Sequence, residues 1–330
     1  MNRKILITGG AGFIGSVISA YLLDNNFEVV VIDDLSTGKK GAIDERATFY
    51  QGSILERSFV LESLIGIDTV VHCAAKSIVE ESVSKPELYE QVNHQGTKVL
   101  LDAMAHTGVE KIIFSSTAAV YGDARTQPIS ESAVLAPVSP YGQSKIRCEE
   151  ALDEKVTKGL SVITFRYFNV AGSYKNSLGK LFFENHENES HLIPKILNKL
   201  TKGNKQAKVD IYGDKWQTPD GSCIRDYLHI KDLAHAHLLA LDKLTKNEHQ
   251  IINLGSGRGY SVLEVIDQID KSVGVKLDRN IRPVRSGDPA VLLAEIIRAN
   301  EKLGWKPKLG LSEIILDSWQ GSQQLGNLHR

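Results

Sequence analysis

Tyr141 and Lys145 stand four residues apart, which on a helix places both side chains on one face. An ammonium group near a phenol favours the ionised phenol, so we expect Lys145 to lower the pKa of Tyr141. This matters because an unperturbed tyrosine, with a pKa of about 10, is a poor base near pH 7. Thr117, which precedes Tyr141 by 24 residues, could hydrogen-bond the same substrate oxygen. The three side chains together predict removal of a proton from a hydroxyl group.

A glycine-rich stretch near the start of the chain predicts a site for a pyrophosphate. Gly9, Gly12 and Gly15 follow a short apolar run and open an amphipathic segment. Without Cβ atoms the backbone can turn tightly and approach a pyrophosphate, whose charge is stabilised by the N-terminal end of the following helix. The next apolar run ends in Asp33 and Asp34, beginning 18 residues after Gly15, where a carboxylate can accept hydrogen bonds from an adenosine ribose.

The glycine loop and the acid together predict NAD as the cofactor. NADP carries a 2′-phosphate that Asp33 would repel, and the first basic residue after it, Lys39, comes six positions later. With a nicotinamide ring nearby, Tyr141 could take a proton from a hydroxyl while a hydride leaves the same carbon. Each motif alone is weak evidence for a cofactor or catalytic site. Strand-to-helix turns also use glycine for steric reasons, and a Tyr–Lys pair at this spacing is common by chance. The prediction depends on their combination.

The elements that must position these residues alternate along the first half of the chain. Short β-branched runs, apolar on both faces, predict strands over residues 4–8, 28–32, 68–74, 111–115 and 161–165. Amphipathic segments predict crossover helices over 12–25, 89–106 and 140–158. This rhythm is typical of a doubly wound, Rossmann-type parallel α/β sheet. We expect residues 1–169 to bind NAD and 170–330 to form mainly a smaller mixed α/β substrate lobe, with the chain returning near 225–260.

Composition excludes several classes of protein. The chain has 39 basic and 40 acidic residues, so its net charge of -1 offers no field to hold a nucleic acid. No apolar run approaches the ~18 residues of a membrane span, and the start is too short for a signal-peptide core. The three cysteines show no metal-ligand spacing, and His229, His235 and His237 do not form an i, i+4 pair. We expect a cytoplasmic enzyme without a metal.

The motifs also resemble a known family along nearly the whole chain. They resemble the extended short-chain dehydrogenase/reductase superfamily, and most closely its UDP-galactose (UDP-glucose) 4-epimerases. The resemblance is carried, in order, by residues 8–15, 73–76, Asn93, 115–122, 141–145, 166–172, Gly213, 220–221, 225–227, 253–255 and 285–289.

The resemblance implies a role for further residues around the cofactor. Backbone N–H groups of Phe13 and Ile14 would bind the pyrophosphate, and Phe168 would pack beside the nicotinamide ring. The remaining residues implied to contact the cofactor are Ser53 and Ile54 near the adenine, and Ala74, Ala75, Lys76 and Asn93 near the nicotinamide side. Ser53 stands where many relatives have Asp, so the adenine amino group loses a charged acceptor. We expect this to weaken the contact with adenine by about 1 kcal/mol without abolishing cofactor binding.

The resemblance also implies a site for a UDP-sugar. Arg225 and Arg285 would clamp its diphosphate, which suits guanidinium groups because they bind phosphate oxygens in pairs. The other residues implied to contact substrate, besides Lys76, Thr117 and Tyr141, are Asn169, His191, Leu192, Tyr212 and Asp288. His191 stands where many relatives have Asn. Val291 falls near a sugar-pocket position that is a bulky Tyr in some relatives, which would leave room for an N-acetyl group.

Ala118 and Ala119 narrow the expected reaction. Related dehydratases and decarboxylases resemble one another in carrying an acidic residue after the catalytic Ser or Thr, and this chain has none there. The resemblance therefore implies NAD-dependent 4-epimerisation of a UDP-hexose through a 4-keto sugar, by an isomerase that forms a homodimer. The alternatives are a 4-epimerase of UDP-glucuronate or a UDP-pentose, a 4-keto nucleotide-sugar reductase, and a non-catalytic NAD-binding redox sensor. The intact Thr117, Tyr141 and Lys145 argue against the sensor.

Overall fold

The structure of the protein is a computed structural model in which residues 3–187, 189–201, 207–285 and 288–328 are described. The strands, numbered along the chain, are β1 (Lys4–Thr8), β2 (Glu28–Asp33), β3 (Thr48–Gln51), β4 (Thr69–His72), β5 (Lys111–Thr117), β6 (Ser161–Tyr167), β7 (Asn169–Ala171), β8 (Ser173–Lys175), β9 (Leu181–Phe183), β10 (Lys208–Tyr212), β11 (Ile224–His229), β12 (His249–Leu254), β13 (Gly259–Ser261), β14 (Asp278–Arg282) and β15 (Val291–Leu292).

The helices are numbered in the same way. They are α1 (Phe13–Asp24), α2 (Arg57–Ser63), α3 (Val79–Ser84), α4 (Pro86–Tyr89), α5 (Gly96–Thr107), α6 (Pro140–Val156), α7 (Leu192–Thr201), α8 (Ile230–Ala240), α9 (Val262–Val273), α10 (Ile297–Leu303) and α11 (Leu311–Leu328).

Seven strands form one parallel sheet in the order β12-β6-β5-β4-β1-β2-β3. The chain builds outward from β1 to β3, crosses back to β4 on the other side of β1, and then builds outward again to β12. The direction reverses between β1 and β4. Ligands of such sheets bind outside the carboxyl ends of the strands at this reversal. The fold therefore places a crevice where β1, β4 and β5 end.

Burial on both faces explains the apolar strand sequences. In β1, Ile5, Leu6 and Ile7 have no exposed surface. Ile5 and Ile7 belong to a hydrophobic core with residues of α1 and α8. Leu6 faces the opposite side and packs in a second core with residues of α2, α5 and α6. Since helices cover both faces, these strands consist of continuous apolar runs rather than alternating ones.

The helix predicted over residues 89–106 is present but is not α-helical throughout. Its first part is a π-helical turn over Glu90–Gln95, and α5 begins only at Gly96. A Cβ on Gly96 would lie 2.5 Å from Cδ1 of Ile54, so any larger residue there would require the buried Ile54 side chain to move. The wider π turn directs Asn93 into the interior, where 1 % of the residue is exposed.

The second lobe has a separate hydrophobic core. Its helices α7, α9 and α11 pack together over the parallel pair β10 and β14. A small mixed sheet built on β11 connects this lobe to the main sheet, because β11 pairs with β7, β13 and β15. The doubly wound sheet with a smaller mixed α/β lobe, predicted from the sequence, is confirmed. Across the described residues, no helix combines the length and apolar character needed to span a membrane.

Candidate active site

The glycine loop lies at the centre of the crevice, between the end of β1 and the start of α1. Gly9 has a φ of +70°, and a Cβ there would lie 2.6 Å from the backbone nitrogen of Ala74 at the end of β4. Gly12 is the N-cap residue of α1, and no described side chain caps this end or places a negative charge in its first turn. The N–H groups of Phe13 and Ile14 thus remain for an anionic ligand.

Asp33 ends β2 beside this loop. Its Oδ2 accepts a hydrogen bond from the backbone N–H of Ala11 (3.0 Å), and its Oδ1 accepts one from Leu35 (2.8 Å). Burial raises the pKa of Asp33, although the two backbone donors lower it. Each oxygen keeps a further lone pair for a ribose hydroxyl. Asp34 instead accepts a hydrogen bond from the backbone of Ser36 at an exposed position.

The residues implied near the adenine make local contacts. The hydroxyl of Ser53 accepts a hydrogen bond from the N–H of Leu55, which closes the turn before α2. Ile54 is buried against Gly96. Both lie just beyond the end of β3, on the crevice side of the sheet edge.

Asn93, which the resemblance places near the nicotinamide side of the cofactor, makes three side-chain hydrogen bonds. Its Oδ1 accepts a hydrogen bond from the N–H of Lys76 (2.8 Å), and its Nδ2 donates to the Lys76 carbonyl (3.0 Å) and to the Ser144 hydroxyl (2.9 Å). Asn93 therefore connects the turn after Ala74 and Ala75 to helix α6. The Lys76 Nζ donates to the Ser36 hydroxyl at 3.1 Å, which directs the ammonium group toward the loop after β2.

Helix α6 brings Tyr141 to Thr117. Pro140 occupies its first turn, and the Ser139 hydroxyl caps it by accepting a hydrogen bond from the N–H of Gly142 (3.2 Å). A Cβ on Gly142 would lie 2.7 Å from the carbonyl oxygen of Ala119, just after β5. This close approach lets the Tyr141 phenol and the Thr117 hydroxyl interact.

In the protein without its cofactor, the pKa of Tyr141 is raised, not lowered as the spacing from Lys145 predicts. Burial raises the pKa of Tyr141 to about 12, and only the hydrogen bond with Thr117 lowers it. The Lys145 Nζ instead donates a hydrogen bond of 2.7 Å to the carbonyl of Ser115 and lies 4.7 Å from the centre of the Phe114 ring. The shared helix face positions both residues on the crevice, but the ammonium is directed toward the strand.

A buried polar network behind the site was not predicted from the sequence. Glu149, one helical turn after Lys145, accepts hydrogen bonds from the Ser116 hydroxyl and from Arg166 Nη2, the latter at 2.6 Å. Arg166 also donates to the Tyr121 hydroxyl at 3.0 Å. The available sequence signal was the recurrence of polar residues every four positions on α6. The network thus links α6 to β5 and β6. It fixes the helix that carries Tyr141 against the strand that carries Thr117.

The residues implied to bind substrate lie in two groups on the second lobe. The Arg225 Nη1 donates to the carbonyls of Ile224 and Pro289, both at 2.9 Å, while its Nη2 lies 3.8 Å from Asp288 Oδ1. The Arg285 guanidinium lies 3.7 Å from the centre of the Tyr212 ring.

Three further residues from the sequence prediction lie around these groups. Asn169 begins β7 and is paired in register with Tyr227 of β11, and Phe168 precedes it with 5 % of its surface exposed. Leu192 begins α7. His191, whose side chain is 60 % exposed, is paired with Glu184, and this charge raises the pKa of His191 to about 9. Among the described residues, the His191 imidazole contacts Glu184 and Glu189, and its ring centre lies 5.9 Å from that of His186.

Comparisons with known proteins agree with this geometry. Residues 5–255 match the model of the NAD dependent epimerase/dehydratase family. The UDP-glucose 4-epimerase of Streptomyces lividans is 43% identical over 97% of this chain and 96% of its own length. One similar solved structure is a UDP-glucose-4-epimerase from Stenotrophomonas maltophila with bound NAD and formylated UDP-arabinopyranose. It superposes with a TM-score of 0.93 at 33% sequence identity, and the match covers 99% of this chain and 100% of that one.

A second solved structure is the UDP-Glc/GlcNAc 4-epimerase of Campylobacter jejuni. It is 37% identical, with a TM-score of 0.84, over 98% of this chain and 100% of that one. These comparisons confirm three predictions from the sequence. They are the resemblance to UDP-glucose 4-epimerases, NAD as the cofactor and the isomerase class. Since one family model spans most of the chain and the relatives match nearly all of it, the protein belongs to the NAD dependent epimerase/dehydratase family, among its UDP-glucose 4-epimerases.

Proposed function

We propose that the protein interconverts UDP-galactose and UDP-glucose by oxidising and re-reducing C4 of the hexose, with Tyr141 as the acid and base. The observation that carries this proposal is the approach of α6 to the end of β5, which brings the Tyr141 phenol to the Thr117 hydroxyl beside the glycine loop. In this position one phenol can face both a hydroxyl of a substrate and a nicotinamide.

The loop fits NAD on its own geometry. A side chain at Gly9 would collide with the backbone of Ala74, and the uncapped start of α1 offers N–H groups to a pyrophosphate. The Asp33 carboxylate, with lone pairs to spare, suits ribose hydroxyls. The residues proposed to surround NAD are Gly9, Gly12, Phe13, Ile14, Gly15, Asp33, Asp34, Ser53, Ile54, Ala74, Ala75, Lys76, Asn93, Tyr141, Lys145 and Phe168. Held there, NAD would supply a hydride acceptor and donor for C4 of the sugar, so the cycle would have no net oxidation.

Tyr141 moves the proton in this scheme. Its phenolate oxygen takes the proton of the C4 hydroxyl as the C–H bond breaks, and returns it to the C4 oxygen when the C–H bond re-forms. Because its pKa is raised to about 12, chiefly by burial, Tyr141 needs nearby positive charge to ionise near pH 7. The buried Lys145 ammonium and the charge of the cofactor ring are the proposed sources, and Thr117 would hydrogen-bond the reacting oxygen.

The reaction stops at this oxidation and reduction because no carboxylate follows Thr117. Ala118 is buried, and the N–H of Ala119 donates to the Thr117 hydroxyl oxygen at 3.1 Å. Elimination or decarboxylation would need a further acid or base at this point. The backbone contact orients Thr117 instead.

We propose that residues 1–169 hold NAD and that 170–330 mainly hold the UDP-sugar. The two arginines suit the diphosphate, because Arg225 is held by two carbonyls and a carboxylate while Arg285 stacks on Tyr212. The residues proposed to contact the UDP-sugar are Lys76, Thr117, Tyr141, Asn169, His191, Leu192, Tyr212, Arg225, Arg285 and Asp288.

The N-acetylated pair, UDP-GlcNAc and UDP-GalNAc, is the second candidate substrate pair. Val291 pairs in register with Ile224, next to Arg225, and its carbonyl accepts a hydrogen bond from the Gln127 amide at 2.9 Å. If it borders the sugar, a valine leaves more room than a tyrosine. The name of the Campylobacter jejuni relative includes GlcNAc. We propose that UDP-GlcNAc and UDP-GalNAc are also accepted.

We propose a homodimer and a cytoplasmic location. Helices α5 and α6 carry exposed residues on the face away from the sheet, which would form an interface between copies of this chain. The three cysteines are unpaired thiols, as expected in a reducing compartment.

The central experiment measures conversion of UDP-galactose to UDP-glucose by the purified protein without added NAD. We expect NAD to co-purify and turnover to proceed with it. UDP-GlcNAc is the parallel substrate. A protein that binds NAD but converts neither UDP-sugar would contradict the proposal, and conversion of UDP-glucuronate or a UDP-pentose alone would replace the substrate.

A further inference from the structure

Four ligand-bearing side chains meet in the segment between β9 and α7. They are Glu184, His186, Glu189 and His191, and their nitrogen and carboxylate oxygen atoms all lie within 4.8 Å of one another. Of the side chains that the structure describes, these are the ones that gather three or more possible metal ligands in this way. The sequence prediction of no metal rested on the spacing of the three cysteines and of the histidines within residues 229–237. It did not consider this cluster, whose members are two, three and two residues apart.

The distances between these atoms suit one small ion. The Nδ1 of His186 lies 3.3 Å from Glu184 Oε1 and 3.6 Å from Glu189 Oε2, and the Nδ1 of His191 lies 3.7 Å from Glu189 Oε1. Ligands held tetrahedrally at about 2.0–2.1 Å from Zn²⁺ are about 3.3–3.4 Å apart. These three contacts are each near the separation of tetrahedral ligands, although the two histidines face different oxygens of Glu189. The Glu189 carboxylate would therefore turn to present one oxygen, and the shorter contact between His191 and Glu184 would have to open.

Burial adds an independent argument. The side chains of Glu184 and Glu189 are 5 % and 9 % exposed. The Oε2 of Glu189 is buried and receives no hydrogen bond from any described residue. A buried carboxylate oxygen without a partner is unfavourable, and a cation at the centre of the cluster would satisfy it. His186 and His191 are 32 % and 60 % exposed, so an ion can enter from their side.

We propose that Glu184, His186, Glu189 and His191 bind one divalent transition-metal ion of the Zn²⁺ type. Two imidazole nitrogens and two carboxylate oxygens suit such an ion, whereas Mg²⁺ and Ca²⁺ prefer oxygen ligands alone. Binding requires neutral imidazoles, so the ion displaces any proton that a histidine shares with a glutamate.

The proposed ion has a structural role. Asn185, inside the cluster segment, accepts a hydrogen bond of 3.0 Å from the Lys39 ammonium, and the N–H of Lys39 donates to the carbonyl of Ala11 in the glycine loop. An ion held by residues on both sides of Asn185 would fix the entrance to α7 and the contact of this segment with the cofactor loop.

The test uses the full-length protein with its NAD, after treatment with a chelator. Zn²⁺ binding is measured by equilibrium dialysis, and Co²⁺ serves as a spectroscopic probe because a tetrahedral site gives strong visible absorption. We expect one Zn²⁺ per chain and a tetrahedral Co²⁺ spectrum without a thiolate band. Loss of an outer-shell partner weakens metal binding about 10- to 100-fold. His186→Gln and Glu189→Gln each remove a proposed direct ligand, so each should weaken Zn²⁺ binding by more than this. Thermal unfolding confirms that each variant is folded.

His106→Gln is the matched control, because His106 is exposed on α5 and outside the cluster. It should bind Zn²⁺ like the parent chain. The proposal is overturned if the parent chain binds no Zn²⁺, which would leave the cluster as a group of histidine–glutamate ion pairs. It is also overturned if both cluster variants bind normally or if a thiolate band appears, since the ion would then lie elsewhere.

Discussion

Gly142 on α6 approaches the carbonyl oxygen of Ala119 so closely that a Cβ would lie only 2.7 Å from it. This contact sets the distance between Tyr141 and Thr117. Gly142→Ala should push the helix away from β5, at a cost of about 1–3 kcal/mol in stability. A displacement of about 1 Å at a reacting group can cost about a hundredfold, so we expect kcat to fall at least about tenfold while NAD stays bound.

Gly41→Ala is the matched control for this change, because a Cβ on Gly41 would meet no atom within 4 Å. Turnover of UDP-galactose and urea unfolding are measured for both variants. Parent-like kcat in Gly142→Ala would show that the helix contact does not position Tyr141.

Removing the phenol oxygen tests the proton transfer directly. Tyr141→Phe keeps the ring that packs against Tyr89, with 6.3 Å between ring centres, and should therefore fold and retain NAD. Its turnover should fall at least about a hundredfold, the lower end for a general acid or base. The exposed Tyr50 offers a control, Tyr50→Phe, which should leave turnover unchanged. Full activity of Tyr141→Phe would remove Tyr141 from the mechanism.

Arg225 should affect substrate binding more than chemistry. Because its guanidinium is held by the carbonyls of Ile224 and Pro289, it is in place before a diphosphate arrives. Loss of a charge-assisted contact costs about 1.5–3 kcal/mol, so Arg225→Ala should raise KM by about 10- to 100-fold with a smaller change in kcat. Arg279→Ala, an arginine on the outer strand β14, is the control. Unchanged KM in Arg225→Ala would exclude Arg225 from the substrate site.

Buried histidines make stability depend on pH on the acid side. Burial lowers the pKa of His237 to about 4, while an unfolded histidine titrates near 6.5. Between these values the unfolded chain takes up a proton that the folded chain does not, so the free energy of unfolding falls as the pH falls below about 6.5. His72, with a pKa lowered to about 3, acts in the same direction.

His237→Gln should flatten this dependence. Between pH 6.5 and 5 the variant should lose about 1–2 kcal/mol less stability than the parent chain, since one proton no longer distinguishes the two states. Urea unfolding at several pH values gives the slopes, and His106→Gln should follow the parent. Parallel slopes for His237→Gln and the parent would show that His237 titrates normally in the fold.

Local patterns explain how much of the site could be predicted. The glycine spacing, Asp33 after the second strand and the Tyr141–Lys145 interval each depend on a few neighbouring residues, so the cofactor class and the elements followed directly from the sequence. Asn93 was different. The family resemblance implied that it lies near the cofactor, but the π turn that directs its amide toward Lys76 and Ser144 arises from packing against the sheet.

Periodicity and short spacings are properties of the chain alone, so they were enough to predict the doubly wound sheet and the glycine loop for NAD. The direction of the pKa shift of the phenol and the partners of each polar group depend on how the chain packs. Burial raises the pKa of Tyr141, and the Lys145 ammonium donates a hydrogen bond to the carbonyl of Ser115. Such pKa shifts depend on which segments exclude water from a group and which carbonyls accept its hydrogen bonds. These segments are far apart in the sequence and come together only when the chain folds.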